Sequence, residues 1–380
     1  MRVTISLFPA NRSRTTVMHH PRRSEASTIM STLETPEVQT APKPKQSAAG
    51  RTRVAIVFTG GTIAMTQDNK TGVKPQLSGR QILDRVPEVA QYLPDLEIEV
   101  HDFSTLPGPH ISPEMMVTLS EFVKAVAERC DGVVVTHGTD SMEESAYFID
   151  CTIGDQVTAV FTGSMHPSTD AAWDGGRNLI DALAVAGCKD FKGDGALVVL
   201  DNTIHAACEV TKSHTMRNDT FASHDFGPLG HVNVLNGTKP MKVRSAQYRT
   251  SIPFDDENEL PYVEFLKVYS GMDDHLFVAA LKNGCAGIVV EAMGQGNVPP
   301  GAVNGISRAC EMNIPVVITS RCQAGPVRPY YAYEGAGLEL QKLGCVFAPY
   351  LTGPKARIKL MLAIAAGYDQ EKLKELFPCI

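Results

Sequence analysis

The stretch from Val54 to Met65, VAIVFTGGTIAM, indicates the fold class of the chain. Its first five residues form an uninterrupted apolar run, as in a strand that is covered on both faces of a parallel sheet. Comparable runs recur along the chain and alternate with longer helical patterns, for example residues 115–128 and 176–186. The runs that predict buried strands are residues 54–58, 132–136, 158–162, 196–200, 287–290 and 315–319. This alternation predicts an α/β protein.

A break in this pattern divides the predicted globular part into two domains. Residues 236–261 contain several prolines and an acidic cluster. We therefore expect a larger N-terminal α/β catalytic domain over residues 51–240, a connector over 241–262, and a smaller, flavodoxin-like α/β domain over 263–380. Residues 1–50 are rich in Ser, Thr, Pro, Ala and Arg without apolar periodicity, which predicts a disordered N-terminal tail.

Composition and charge argue against several classes of protein. Hydrophobic residues make up 43% of the 380 residues, yet no apolar run approaches the roughly 18 residues of a transmembrane helix. The formal net charge is -7 and there is no basic stripe, so nucleic acid and anionic membranes are poor candidates as partners. The chain also lacks GxxxxGK[ST], and no GxGxxG follows the first predicted strand, which argues against nucleotide binding.

Cysteine usage and the N-terminal residues bear on the cellular compartment. None of the nine cysteines forms a CxxC pair, and their number is odd, as is typical of reduced thiols in a cytoplasmic protein. The first 24 residues contain five arginines, as in a transit peptide, but Pro9 and Pro21 interrupt any amphipathic helix. We therefore expect a cytoplasmic protein.

Glycines and polar side chains follow three of the predicted strands, at the edge where open α/β sheets bind ligands. TGGT, which ends at Thr62, follows the first strand; HGTD, which ends at Asp140, follows the second; and TGS, residues 162–164, ends the third. Glycines let the backbone approach a small ligand, and a threonine hydroxyl becomes a nucleophile beside a base or cation. On these grounds either Thr62 or Thr139 could attack a substrate, and Asp140 could hold a substrate ammonium.

Six segments of the chain resemble the signature blocks of the bacterial-type L-asparaginase (asparaginase/glutaminase) family. Together they extend from about Val54 to the C-terminus, which is nearly all of the predicted globular part. The segments are VAIVFTGGTIAM (54–65), VVVTHGTDSMEESAYF (133–148), FTGSMHPST (161–169), DNTIHAACEVTK (201–212), FGPLG (226–230) and GPKARIKLMLA (353–363). The resemblance implies hydrolysis of the side-chain amide of L-asparagine, or of L-glutamine or a related amide, to the acid and ammonia.

The resemblance also assigns roles to four residues that the sequence pattern alone leaves open. Thr62 matches the nucleophile, and Thr139 matches the second catalytic threonine, which positions water or assists proton transfer. Asp140 matches the carboxylate that holds the substrate ammonium and belongs to a Thr-Lys-Asp relay, whose lysine is Lys212. Without the resemblance, Lys212 reads as a surface lysine. The implied reaction uses no cofactor and no metal. Members of the family typically form homo-oligomers, so the resemblance also implies a homo-oligomer, either a dimer or a tetramer.

Two departures from the family pattern concern substrate binding. The loop over residues 66–78, TQDNKTGVKPQLS, lacks the tyrosine that well-known members carry there. The serine that binds the substrate carboxylate in those enzymes falls on Gly108 by spacing back from Ser112, and His110 is a candidate for a replacement contact. The expected substrate-binding residues are Gly61, Gly138, Thr139, Asp140 and His110.

Two alternative functions remain open from the sequence. One is the asparaginase-like subunit of a tRNA-dependent amidotransferase, which carries a folded N-terminal extension; residues 1–50 show no strand or helix periodicity. The other is a catalytically silent amino-acid-binding protein on the same fold, against which the retention of all four relay positions argues.

Overall fold

Two β-sheets flanked by helices organise the chain in this computed structural model, which describes residues 51–68, 72–255 and 259–377. The predicted tail over residues 1–50 lies outside the described residues. The described strands are β1 (Thr52–Gly60), β2 (Met65–Asp68), β3 (Gly72–Pro75), β4 (Leu96–Leu106), β5 (Gly132–Thr136), β6 (Ala159–Thr162), β7 (Leu197–Leu200), β8 (Thr203–Ala206), β9 (Thr211–Lys212), β10 (Phe221–Ala222), β11 (Gly230–Asn233), β12 (Thr238–Lys242), β13 (Val263–Lys267), β14 (Gly287–Ala292), β15 (Val316–Ser320) and β16 (Val346–Phe347).

The helices lie between these strands. The α-helices of the described part are α1 (Gly79–Leu83), α2 (Glu88–Tyr92), α3 (Pro113–Ala127), α4 (Met142–Ile153), α5 (Gly175–Ala186), α6 (His275–Lys282), α7 (Pro300–Glu311), α8 (Gly337–Lys342), α9 (Gly353–Ala365) and α10 (Gln370–Leu376). Within the described residues, no helix has both the length and the apolar character needed to cross a bilayer.

An eight-stranded sheet forms the centre of the larger domain, in the order β12-β11-β8-β7-β6-β5-β1-β4. The five strands from β4 to β7 are parallel, and β8, β11 and β12 extend the sheet with antiparallel pairs. Strand β1 lies between β4 and β5, with Ile56 opposite Val134. Because β1 is covered on both faces, Ile56 packs toward α5 and Val57 toward α3 and α4. This explains the continuous apolar run of β1.

The smaller domain contains a four-stranded parallel sheet in the order β13-β14-β15-β16. Helices α6, α7 and α8 cover one face, where Phe277, Ile306 and Leu340 pack on Ile288 and Ile318. Helices α9 and α10 cover the opposite face. Helix α9 also packs against α4 of the larger domain. The expected architecture, a larger N-terminal α/β domain and a smaller C-terminal one, is confirmed.

The predicted strands and helices recur with shifts of at most a few residues, but the edge of the large sheet was not predicted. The six apolar runs correspond to β1, β5, β6, β7, β14 and β15, and the two helical stretches to α3 and α5. Strand β4, LEIEVHDFSTL, is at the end of the sheet, and only two of its eleven residues, His101 and Phe103, are buried. A half-covered edge strand carries no continuous apolar run, which is why this signal missed it.

Candidate active site

Three glycines bring the loops after β1, β4 and β5 into backbone contact. Gly61 has a positive φ of 74°, which a residue with a side chain rarely adopts. A Cβ atom on Gly61 would lie 2.5 Å from the backbone nitrogen of Gly138, and one on Gly138 would lie 2.6 Å from that of Gly108. The N–H of Gly61 also donates to the carbonyl of Leu106 at 2.9 Å. The glycines therefore allow these three loops to meet.

Hydroxyl groups fasten the same loops to one another. The buried Thr59 hydroxyl donates to the Thr136 carbonyl at 2.7 Å, joining the ends of β1 and β5. The Ser141 hydroxyl donates to the Gly108 carbonyl at 2.7 Å, joining the loops after β5 and β4. Ser141 was not among the predicted site residues, although a hydroxyl directly after HGTD was a visible signal. These bonds hold the strand ends in a fixed arrangement.

Thr62 begins a short 3-10 turn, Thr62–Ala64, which Gly61 separates from the end of β1. The next two residues, Ile63 and Ala64, are buried and anchor the turn in the core. The carbonyl of Ala64 accepts hydrogen bonds from the N–H groups of Gln76 and Leu77, so the hairpin β2-β3 returns to the same point. Thr62 itself is half-buried. It thus stands at the carboxyl end of β1 on an anchored turn, next to the Gly61–Gly138 contact.

Lys212 connects two of the other predicted catalytic residues. Its Nζ donates to Oγ1 of Thr139 at 2.9 Å and to Oδ1 of Asp140 at 2.7 Å. Thr139 is only 5% exposed, whereas the Asp140 side chain is 65% exposed and that of Lys212 15%. A lysine ammonium has three N–H donors. The arrangement joins a buried hydroxyl, a cation and a carboxylate that solvent can reach.

His137, the histidine of HGTD, is a buried support of the loop after β5. His137 is fully buried, and its Nδ1 lies 2.9 Å from the carbonyl of Gly138, to which it donates. Burial lowers the pKa of His137 to about 4, because desolvation disfavours the charged imidazolium. The ring is therefore neutral near pH 7 and acts as a hydrogen-bonded part of the core.

A buried carboxylate holds the loop after β6. Asp174, directly before α5, accepts hydrogen bonds from the Ser164 hydroxyl at 2.6 Å and from the N–H groups of Met165 and His166, each at 3.0 Å. Asn178 donates to the same carboxylate at 2.9 Å. Residues 162–164 of this loop were predicted to lie at the site, but Asp174, which lies ten residues later and has no local motif, was not.

The loop after β4 contains Gly108, where the family serine is missing, and His110, the candidate for a replacement contact. Gly108 is buried, and a Cβ atom there would lie 3.3 Å from both the Gly138 carbonyl oxygen and the Ser141 hydroxyl. This contact is tight, so a serine side chain at residue 108 requires its neighbours to move. His110 ends the short 3-10 turn Gly108–His110, and its side chain is exposed.

One group of side chains in the described part has the spacing of a possible metal site. Asp273, Asp274 and His275 place their ligand atoms within 4.8 Å of one another at the start of α6. Two of the three residues are exposed, and the group lies in the smaller domain. None of the predicted catalytic residues belongs to it.

The fold and the site define an α/β enzyme with a hydroxyl and a carboxylate after a central parallel strand and a lysine that bonds to both. Residues 53–244 match the family described as Asparaginase, N-terminal, and residues 262–377 match the Glutaminase/Asparaginase C-terminal domain. The chain therefore belongs to the asparaginase family, whose members are hydrolases of amide bonds. This confirms the resemblance inferred from the six segments.

Similar proteins cover most of the chain and most of their own length. The Probable L-asparaginase of Deinococcus radiodurans is 34% identical over 325 residues, which is 86% of this chain and 97% of that protein. L-asparaginase 2 of Escherichia coli is 31% identical over 327 residues, with 85% and 92% covered. The crystal structure of Probable Cytoplasmic L-asparaginase from Campylobacter jejuni superimposes with a TM-score of 0.75 at 31% identity, covering 86% of this chain and 99% of that one.

Proposed function

We propose that the protein hydrolyses the side-chain amide of L-asparagine to aspartate and ammonia, with Thr62 as the nucleophile. The observation that carries this proposal is the pair of hydrogen bonds from Lys212 to Thr139 and Asp140. The names of the similar proteins, which are L-asparaginases, favour asparagine as the substrate. The departures at Gly108 and in the loop over residues 66–78 concern substrate binding. L-glutamine and related amides are therefore compared with L-asparagine in the same assay.

The proposed reaction begins with substrate binding at Asp140. Its exposed carboxylate faces solvent and pairs with the α-ammonium of an amino acid, while Lys212 holds the other side of the same group. The substrate amide then lies over the loops of Gly61 and Gly138. Backbone N–H groups of these loops stabilise the oxyanion, because fixed dipoles need little reorganisation when charge develops. His110, on the adjacent loop, is the proposed contact for the substrate carboxylate.

The chemical steps form and then hydrolyse an ester. The Thr62 oxygen attacks the amide carbon, the C–N bond breaks, and the nitrogen leaves as ammonia after gaining a proton. The hydroxyl proton of Thr62 passes to the relay of Thr139, Lys212 and Asp140. A nearby cation and hydroxyl lower the free energy needed to remove this proton. Water then attacks the ester carbon, releases aspartate and returns the proton to Thr62. Side chains, backbone N–H groups and water supply every group in this scheme, which uses no metal or organic cofactor.

The two alternative functions receive less support. The relatives named L-asparaginase are covered over 92% and 97% of their own length, so the similarity does not single out a subunit of a larger amidotransferase. A catalytically silent binding protein does not need a lysine that bonds to both a buried threonine hydroxyl and a carboxylate. We therefore favour the hydrolase.

Assembly, location and domain division are further parts of the proposal. We infer a homo-oligomer, either a dimer or a tetramer, in the cytoplasm; the eight cysteines of the described part are free, which suits a reducing compartment. Relatives are named with both cytoplasmic and periplasmic locations. The division into residues 51–240, 241–262 and 263–380 is supported by β12, which ends at Lys242, and β13, which begins at Val263.

An ammonia-release assay tests the proposed activity. Purified protein is compared on L-asparagine, L-glutamine and other small amides, together with Thr62→Ala and the control Thr66→Ala. Thr66 lies on β2, and its hydroxyl is bonded to Gln76 instead of to the proposed site. We expect L-asparagine to give the highest kcat/KM, Thr62→Ala to be inactive and Thr66→Ala to remain active. Failure of the wild-type protein to release ammonia from any amide would contradict the proposed function.

A further inference from the structure

Helix α9 of the smaller domain carries two buried lysines that bond to different segments of the chain. Lys355 is 1% exposed, and its Nζ donates to the carbonyl of Val210 in the larger domain. Lys359, one helical turn later, is 4% exposed and donates to the carbonyl of Leu376 at 2.7 Å. Burying an ammonium is costly unless it is paired. Each lysine therefore needs its hydrogen bond, and the two bonds are of the same kind but have acceptors in different segments of the chain.

Lys355 lies in surroundings that suit a buried amine. Burial lowers its pKa, and the nearby acid Glu143 acts in the opposite direction. The ring of Tyr147 lies 5.9 Å from its Nζ. A lysine amine keeps N–H donors whether it is charged or neutral, so the bond to Val210 does not depend on the protonation state. Lys355 can thus act as a permanent connection between the domains.

The receiving carbonyl lies two residues before Lys212. Val210 is fully buried, and its own N–H donates to the carbonyl of Ala206 at 3.0 Å. Strand β9 comprises only Thr211 and Lys212, and it pairs with the equally short β10 outside the large sheet. So short a strand has few hydrogen bonds of its own to fix its position. The bond from Lys355 is one of the contacts that determine where the Lys212 backbone lies.

We propose that Lys355 is a positioning residue for Lys212: its bond to the Val210 carbonyl fixes the approach of the Lys212 ammonium to Thr139 and Asp140. The smaller domain thereby sets the geometry of the proton relay in the larger domain. This inference rests on the proposed function, because it needs the proposed role of Lys212 in turnover.

The chain offers a matched control for this proposal. Lys355→Met and Lys359→Met each remove one buried amine from α9 and the hydrogen bond that it donates to a carbonyl, which is buried at Val210 and half-buried at Leu376. Only the first affects the segment that carries Lys212. In the full-length protein, we expect Lys355→Met to lower kcat by about 10- to 100-fold, since a small displacement of a catalytic group has effects of this order. We expect KM to change much less, and Lys359→Met to keep a kcat close to the wild-type value.

Stability is measured in parallel by thermal unfolding, because both substitutions are expected to lower Tm. A second pair, Lys355→Gln and Lys359→Gln, decides the question if a methionine variant does not fold. The shorter amide side chain of Gln draws β9 toward α9 or loses the bond, so kcat falls again only at residue 355. Equal kcat in the members of either pair would overturn the proposal. Loss of folding in both Lys355 variants would also overturn it, since Lys355 would then be a residue for stability alone.

Lys212→Met in the same series separates this inference from the proposed function. If Lys212→Met is inactive while the Lys355 and Lys359 variants turn over equally, only the positioning role of Lys355 is wrong. If Lys212→Met keeps full turnover, the proposed relay is wrong, and the positioning role is wrong with it. A decrease of kcat in both Lys212→Met and Lys355→Met, without one in Lys359→Met, supports both proposals.

Discussion

Gly61 and Gly138 pack backbone against backbone, so that a Cβ atom on Gly61 would lie 2.5 Å from the nitrogen of Gly138. The contact joins the carboxyl ends of β1 and β5, the strands that lead to Thr62 and to Thr139. Two threonines far apart in the chain are therefore brought to neighbouring loops by the absence of side chains at the residues that precede them.

Substitution of Gly138 by alanine tests the importance of this packing. The new methyl group would lie 2.6 Å from the backbone nitrogen of Gly108, so the loops must separate. We expect a loss of about 1–3 kcal/mol in the free energy of unfolding, the usual cost of overpacking, and a marked fall in kcat. Denaturant unfolding and ammonia release measure the two effects.

Gly176→Ala is the control for this substitution. Its added Cβ would have its nearest neighbour at 3.4 Å, an ordinary contact with the Val86 side chain, and Gly176 lies within α5. The stability of Gly176→Ala should equal or exceed that of the wild type, since alanine has a higher helix propensity than glycine. Wild-type stability and turnover in Gly138→Ala would show that the close contact does not matter.

The central strands could be predicted from local sequence patterns, whereas the relay was predicted only through the resemblance to a family. Strand β1 is covered on both faces, and its apolar run is therefore visible in the sequence. Lys212 has no such signal, because its role depends on a two-residue strand and on a hydrogen bond to Thr139 across 73 positions of sequence. Lys355 likewise looks like an ordinary basic residue in GPKARIKLMLA, although it is buried. Contacts between distant segments of this kind leave no local pattern.

The buried His137 makes stability depend on pH. Burial lowers its pKa to about 4 in the folded protein, while an unfolded histidine titrates near 6.5. Between these values the unfolded chain binds more protons, so the contribution of neutral His137 is fully present above pH 6.5 and is lost as pH falls toward 4. This contribution of His137 to the free energy of unfolding amounts to roughly 3 kcal/mol.

The measurement compares wild type with His137→Gln by denaturant unfolding from pH 4 to pH 7. The wild-type protein should lose more stability than the variant as pH falls through this range. His224→Gln, at an exposed histidine, is the control for removal of an imidazole. Parallel curves for wild type and His137→Gln would contradict the assignment of a neutral, buried imidazole.

His110 tests how the substrate carboxylate is bound. Its exposed side chain lies on the loop of Gly108, where a family serine is missing. If His110 contacts the substrate equally in the ground and transition states, His110→Ala should raise KM for L-asparagine more than it lowers kcat. Steady-state kinetics of ammonia release measure both constants. Unchanged kinetics would mean that His110 has no part in binding.

Identification of the nucleophile tests the central claim most directly. The protein is treated with a diazo-ketone analogue of the substrate, digested, and the labelled residue is located by mass spectrometry. We expect the label on Thr62, no labelling and no turnover in Thr62→Ala, and slow labelling of Thr62 in Thr139→Val. Turnover in Thr139→Val should fall by about 10²- to 10⁴-fold, the usual contribution of positioned proton transfer. Label on Thr139, or full activity in Thr62→Ala, would contradict the proposed mechanism.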